Sequence, residues 1–311
     1  MINKEEFTYD SRDGQTKIHA VRWVPQKGEI KGVLQIVHGM VEHIDRYDHF
    51  ARSLADKGFV VVGNDHLGHG ASVSQDSDRG YFCKKDGETI LVRDVHRLKK
   101  LTQKAFLGKP YFILGHSMGS FIVRKYIMDY GKGVDGAIIM GTGSKPVYLL
   151  QLGIWLTKVL GKIHGEKYRS TFINNRAFGS FNNRFGSSRT EHDWLTKDEK
   201  QVDTYESDER NNFVFTLNGY QTLFKIFIYI QKEENFTKVR KDLPIFLVAG
   251  AEDPVGDFGK GVRKTYEFLQ RVGYSKLDMK LYPQDRHEIL NETDKETIYI
   301  DLENWIMQHI S

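Results

Sequence analysis

Short apolar runs alternate with amphipathic stretches along most of this chain. Residues 32–37, 59–63, 111–114, 136–140 and 244–249 are continuous apolar runs that end in turn-forming or polar clusters. Strands covered on both faces have this character. Residues 17–24 and 276–282 alternate apolar and polar positions, and the first of these belongs to a short N-terminal hairpin region. Between the runs the period changes to 3.6. Tyr47, Phe50, Ala51, Leu54 and Ala55 share one face, with Gly58 as the stop. Leu91, Val95, Leu98 and Leu101 mark a second helix, ending before Gly108, Lys109 and Pro110. Ile298, Leu302, Trp305, Ile306 and His309 mark one at the C-terminus. Strands and helices in alternation predict an α/β fold, a mostly parallel central sheet flanked by helices.

One region breaks the rhythm. About a hundred residues separate Gly141 from Pro244, far more than a βα crossover needs. Leu149, Leu152, Leu156, Val159, Leu160 and Ile163 form one helical stripe, and Tyr220, Leu223, Phe224, Phe227 and Ile228 another. Tyr148, Ile154, Trp155, Ile226 and Ile230 lie off those stripes, so both helices are apolar on more than one side. Two buried core helices would fit. A cap fits better, because an insertion at the edge of a doubly wound sheet sits over the site. The expected organisation is a core of residues 1–143 and 241–311, with a largely helical cap, 144–240, inserted after the sixth strand.

Composition narrows the function classes. A chain of 311 residues with 40% hydrophobic and 12% aromatic residues can bury a sizeable core. Its 45 basic and 41 acidic side chains include no long Lys/Arg block, so no nucleic-acid partner is expected. A single cysteine, Cys83, excludes an internal disulfide and fits a reducing compartment. The N-terminal residues have no apolar signal core, and the greasy stretches 147–163 and 213–230 are interrupted by polar residues. A cytoplasmic protein is expected, peripheral at a membrane where residues 149–155 of the cap touch lipid transiently.

The candidate chemistry starts at residues 111–120, YFILGHSMGS. A short apolar strand runs into Gly115-His116-Ser117-Met118-Gly119 and then a helical stretch closed by Gly131. G-x-S-x-G between strand and helix is a nucleophile elbow: a strained turn projects the serine oxygen above the sheet while flanking glycines admit neighbouring backbone. A serine hydroxyl needs a base oriented by a third group, and behind such an elbow the chain order is Ser, acid, His. Asp253 stands just past the strand 244–249, directly before Pro254, with Glu252 and Asp257 as rivals. Of the histidines after it, His309 is explained by helix packing. His287, in the loop after strand 276–282, is placed to reach back over the sheet.

Residues 37–43, VHGMVEH, raise a metal reading. His38, Glu42 and His43 are spaced one residue longer than the H-x-x-E-H of a zinc-hydrolase signature. His66 and His69 could be two further ligands, but no third cluster of matching spacing follows. We therefore expect no metal.

Four separated motifs agree with one another: residues 38–43 (HGMVEH), 65–72 (DHLGHGAS), 115–119 (GHSMG) and 287–292 (HEILNE). Together they resemble the monoacylglycerol lipase/lysophospholipase branch of the α/β-hydrolase superfamily, from near residue 30 to the C-terminus. The cap matches only in size and greasiness, and Ser120 stands where that family often has a glycine. The resemblance implies hydrolysis of a small-molecule acyl ester such as a monoacylglycerol or lysophospholipid, without metal or organic cofactor. Ser117 would attack, His287 carry the proton and Asp253 orient the imidazole. The backbone N–H groups of Met40 and Met118 would form an oxyanion hole, each such donor worth about 3 kcal/mol. His38, Gly39, Glu42, His43, Asp65 and His116 would then brace the site, as would His66 and His69. An aminopeptidase-like or general short-chain esterase of the same fold is the alternative, since Asp193, Asp198, Glu199, Asp203, Glu206, Asp208 and Glu209 would suit a substrate amine. A non-catalytic binding protein is a third, against which the complete Ser117, Asp253 and His287 set speaks. The pattern sets no oligomeric state.

Overall fold

A computed structural model describes residues 2–186, 188–237 and 239–310. Its sheet has the strands β1 (Ile2–Asp10), β2 (Lys17–Pro25), β3 (Gly32–Val37), β4 (Phe59–Asn64), β5 (Tyr111–His116), β6 (Gly136–Met140), β7 (Ile245–Gly250) and β8 (Leu277–Tyr282). Their spatial order is β1-β2-β4-β3-β5-β6-β7-β8. The hairpin β1–β2 is antiparallel and β2 joins β4 antiparallel; every later pairing is parallel. The apolar strands β3 to β7 are buried along their whole length, whereas alternating β8 closes the edge with its odd positions half-covered.

Strand alternation divides the core into two layers. Val33 and Val37 of β3 face one cluster, shared with the helices α2 (Gly87–Ala105), α3 (Met118–Tyr130) and α8 (Lys260–Arg271). Leu34 and Ile36 face the other, built on α1 (Asp48–Asp56) and α9 (Lys295–Gln308). The expected stripes of α1 and α9 are buried, except that His309, just past the end of α9, is half-buried. The stripe of α2 departs at its last member: Leu101 is 43% exposed, while Thr102 is buried and donates its hydroxyl to the Leu98 carbonyl. Three turns at 3.6 residues carry the face from Leu91 to residue 102, so 101 has rotated off it.

Among the described residues between β6 and β7 lie four α-helices rather than the two expected: α4 (Val147–His164), α5 (Thr171–Phe178), α6 (Glu199–Ser207) and α7 (Leu217–Tyr229). Ser170, Asp198 and Thr216 cap the last three by accepting the N–H of Ile173, Lys200 and Gly219. Helix α7 packs down on α3, with Phe227 stacked on Phe121 at 4.2 Å. Helix α4 rests on α7 only partly through the stripe read from the sequence, of which Leu156 and Leu160 pack on the core. Its seated face is Leu150, Gly153 and Thr157, and a Cβ at Gly153 would come within 2.7 Å of the Phe224 ring. Leu149, Leu152, Val159 and Ile163 are exposed instead, together with Tyr148 and Trp155.

The entry to this insertion and the end of its last α-helix meet at one side chain. Arg124 of α3 is buried with no carboxylate partner among the described residues, and burial pushes its pKa down to about 9. Its guanidinium donates to the carbonyls of Gly143, at 3.1 Å, and Ile230, at 3.5 Å.

Candidate active site

Ser117 stands between β5 and α3 with φ +53° and ψ −121°, a conformation that L-residues avoid and that elbows store as strain. Two glycines make it attainable. A Cβ on Gly115 would lie 2.3 Å from the Gly119 carbonyl oxygen, and one on Gly119 would lie 1.9 Å from the Val37 oxygen. The turn is therefore pressed against the end of β3. Ser117 N–H donates to the Met140 carbonyl, and the buried Ser120 hydroxyl donates to the Ser117 carbonyl at 2.6 Å. Ser120 thus adds a tie where the related motif has none.

Asp253 and His287 meet as the chain order requires. His287 Nδ1–H donates to Asp253 Oδ1 at 2.9 Å, and that oxygen also accepts the Val255 N–H. Both residues are buried. Glu252 is half-buried and Asp257 exposed, and neither bonds His287. Among the described residues no hydrogen bond joins Ser117 Oγ to His287, but both line one cleft. Contacts of this kind often close fully only around substrate.

The motif 38–43 folds as a loop that one carboxylate organises. Glu42 Oε1 accepts from Gly39 N–H, from the Tyr47 hydroxyl at 2.9 Å and from His116 Nδ1–H at 3.2 Å, while Oε2 accepts from Arg46. Burial opposes its charge, yet His116 and Arg46 hold its pKa far below the carboxylate range. His116 donates its other nitrogen to the His287 carbonyl at 3.2 Å. Burial opposes its charge, but acceptors on both sides favour the protonated ring, and Glu42 keeps its pKa raised. Arg46 spans to Glu288 through two hydrogen bonds, the longer 2.7 Å. Glu42, Arg46 and Glu288 thus join the loop after β3 to the loop that carries His287. Sequence reasoning gave Arg46 and Glu288 no role and read Tyr47 as core packing; the only signal was that Glu288 lies inside the HEILNE motif and that Arg46 and Tyr47 closely follow HGMVEH.

The histidines engage backbone. His38 donates from Nδ1 to the Gly39 carbonyl and accepts the His66 N–H at Nε2, both within 3.0 Å. His66 and His69 pack beside it, with ring centroids at 4.1 and 5.3 Å. Burial drives all three pKa values down, to about 3 for His66 and about 4 for His69, so the rings are neutral at pH 7. Asp65 accepts the N–H groups of Ile44 and Ala71 and the Nδ1–H of His19. His43 pairs with Asp208 of the insertion at 2.9 Å, not with His38. No group of three or more His, Cys, Asp or Glu among the described residues is arranged to hold a metal ion.

Above the carboxyl ends of the strands opens a cleft of about 1930 Å³, well beyond a drug-sized pocket. Met40, His116, Ser117, Met118 and His287 are on its lining, and α4, α5 and α7 contribute apolar walls, among them Leu149, Trp155, Phe172, Phe178 and Phe224. Trp194 stands 5.2 Å from the His287 ring. No helix among the described residues is long and apolar enough to cross a membrane.

Comparison with known proteins follows this geometry. Residues 28–294 match the Hydrolase_4 family, described as serine aminopeptidase, S33. A monoglyceride lipase homolog of monkeypox virus is 25% identical, covering 90% of this chain and 91% of its own length. A monoacylglycerol lipase of Mycolicibacterium smegmatis is 24% identical, covering 93% and 92%. The crystal structure of a thermostable carboxyl esterase from Bacillus coagulans, in complex with glycerol, superposes with a TM-score of 0.91 at 29% identity, covering 99% of each chain.

Proposed function

We propose that this chain, which belongs to the Hydrolase_4 family of α/β-hydrolases and is a hydrolase, cleaves single-chain lipid esters through an acyl-enzyme on Ser117. The reading is carried by Ser117, on its strained elbow, and His287, paired to Asp253, lining one large and largely apolar cleft. His287 takes the Ser117 proton as the oxygen attacks the ester carbonyl, then gives it to the departing alcohol. Water follows the same course to release the acid. Asp253 fixes the tautomer and steadies the imidazolium. The N–H groups of Met40 and Met118 receive the oxyanion, and Glu42 holds the Met40 loop through Gly39. No step calls for a metal or organic cofactor.

Monoacylglycerols and lysophospholipids fit the apolar walls, and the relatives' names agree. We assign residues 144–240 as the cap and the rest as the core. Helix α4 is the cap's lipid face: it carries Lys158 and Lys162 but no acidic residue, and its apolar stripe is exposed.

The family description favours a second reading, an aminopeptidase that grips a substrate amine with cap carboxylates. Most of those carboxylates are already engaged. Asp193 accepts from Thr190, Asp198 caps α6, Asp203 pairs with Arg189, Glu206 with His192, and Asp208 with His43 and Arg210. Glu199 and Glu209 remain.

Hydrolysis of a p-nitrophenyl ester series, a monoacylglycerol, a lysophospholipid and an aminoacyl-anilide separates these readings. We expect ester cleavage that falls by at least about a thousandfold in Ser117→Ala. Undiminished turnover in that variant would sink the mechanism, and anilide cleavage without ester cleavage would establish the peptidase.

A further inference from the structure

The loop that carries Met40 contains the least comfortable backbone of the site after Ser117. Val41 has φ +55°, and for a β-branched residue the left-handed region is a true outlier. Nothing within residues 38–43 compensates it: Glu42 holds Gly39, and His38 holds the Gly39 carbonyl. The compensation comes from 164 positions away. The Tyr205 hydroxyl of α6 donates to the Val41 carbonyl at 2.9 Å.

Tyr205 is itself held from several sides. It is buried in a small cluster with Trp194 and Leu195, and the Arg46 guanidinium lies 4.8 Å from its ring centre. Its neighbours bind the same loop, Asp208 to His43 at 2.9 Å and Arg210 to Asp45 at 3.0 Å. Residues just before it bind the other catalytic loop: the Leu195 carbonyl accepts the Glu288 N–H at 2.7 Å, and Lys197 meets Asp285 at 2.6 Å.

We propose that Tyr205 is a positioning residue for the oxyanion hole: its hydroxyl fixes the strained Val41 turn so that the Met40 N–H stays aimed at the developing oxyanion. The Val41 dihedrals set the angle between the Met40–Val41 and Val41–Glu42 peptides, and the Met40 N–H lies one peptide earlier in the same turn, in the Gly39–Met40 unit whose carbonyl His38 holds. Relaxation of Val41 to negative φ rotates the two peptides that flank it relative to each other and turns the loop away from the floor of the cleft. The hydroxyl blocks that relaxation at no cost to substrate binding, because it is spent on the loop. This inference rests on Met40 serving as oxyanion donor in the reaction proposed above.

The test is a two-by-two set, Tyr205→Phe and Val41→Asn singly and together, with Ser117→Ala beside them. Asparagine tolerates the left-handed region far better than valine, so it relieves the need for the tether. In Tyr205→Phe we expect kcat on p-nitrophenyl butyrate to fall by about 10- to 30-fold, below the full loss of one oxyanion donor. KM should stay within about threefold and the melting temperature within a few degrees. The inhibition constant of an alkyl boronic acid, whose tetrahedral adduct uses the same hole, should rise by the factor that kcat loses. In the Val41→Asn background the same change at Tyr205 should cost less than threefold. An unchanged kcat in Tyr205→Phe overturns the proposal, as does an equal loss in both backgrounds, the mark of a purely structural role. If Ser117→Ala retains full turnover, the underlying reaction fails and the proposal with it.

Discussion

The insertion over the sheet has two limbs of opposite character. Of the twelve exposed large hydrophobic side chains among the described residues, eight fall between Tyr148 and Phe172, on α4 and the start of α5. Residues 193–211 turn theirs inward, Trp194, Leu195 and Tyr205, and tie themselves to both catalytic loops. One limb shows grease to the outside and touches the site only as a wall. The other shows charge to the outside and is part of what shapes the site. Helicity does not distinguish them; the difference is where each limb's hydrogen bonds and ion pairs end. A single insertion can thus be adaptable where it meets substrate and rigid where it meets chemistry.

The comparison breaks most completely if the frame under the braced limb is removed. Arg46→Met leaves Glu42 and Glu288 as two buried carboxylates without their shared cation, and Tyr205 without the charge on its ring. A loss of about 3–5 kcal/mol in denaturant unfolding is expected, with a fall in kcat of more than about a hundredfold. An unaltered midpoint would show that the bridge does not hold the two loops.

Acid should loosen the same side next. His66 and His69, whose folded pKa values are about 3 and about 4, back the His38 loop. An unfolded histidine takes up its proton near pH 6.5. Between that pH and about 4 the unfolded chain binds more protons, so stability is full above pH 6.5 and declines as pH falls. Each such ring adds a slope of up to about 1.4 kcal/mol per pH unit. His69→Asn, which keeps a donor for the Leu67 carbonyl, should flatten the pH dependence of the unfolding midpoint by one proton. An unchanged slope would place the acid sensitivity elsewhere.

The outer limb should give the smallest effect on the fold and a visible one on lipid. Val159→Ser with Ile163→Ser removes exposed side chains that do not line the cleft, so unfolding free energy should stay within about 0.5 kcal/mol. Flotation with anionic liposomes should fall by about tenfold or more, and turnover of p-nitrophenyl acetate should hold. Equal flotation of variant and parent would remove α4 as the lipid face.

Legibility in the sequence followed the same divide. Strands β3 to β7 announced themselves because both faces are buried and nearly every residue is apolar, with Gln35, Asn64 and His116 as the exceptions. Ser117, Asp253 and His287 stood out because each sits at a strand end with its own turn chemistry, and the structure pairs the last two at 2.9 Å. Helix α4 misled, since the eye follows large apolar residues. Its true contact is made through Gly153 and Thr157, small residues that let Phe224 approach. The bracing was hidden for another reason: Arg46 and Glu288 lie 242 positions apart, and Tyr205 meets Val41 over 164. Nothing local distinguishes a buried charge with a distant partner from an ordinary surface one.

Arg124 has a consequence for how such a molecule can diversify. It receives the entry to the insertion and the end of the insertion's last α-helix through backbone carbonyls, those of Gly143 and Ile230. A carbonyl is offered by every residue type, so the attachment is indifferent to what lies between. Roofs of different length and sequence can be exchanged over the same chemistry as long as their first and last turns reach that guanidinium. One buried cation thereby acts as a universal fitting, and substrate range can drift without the catalytic floor being rebuilt.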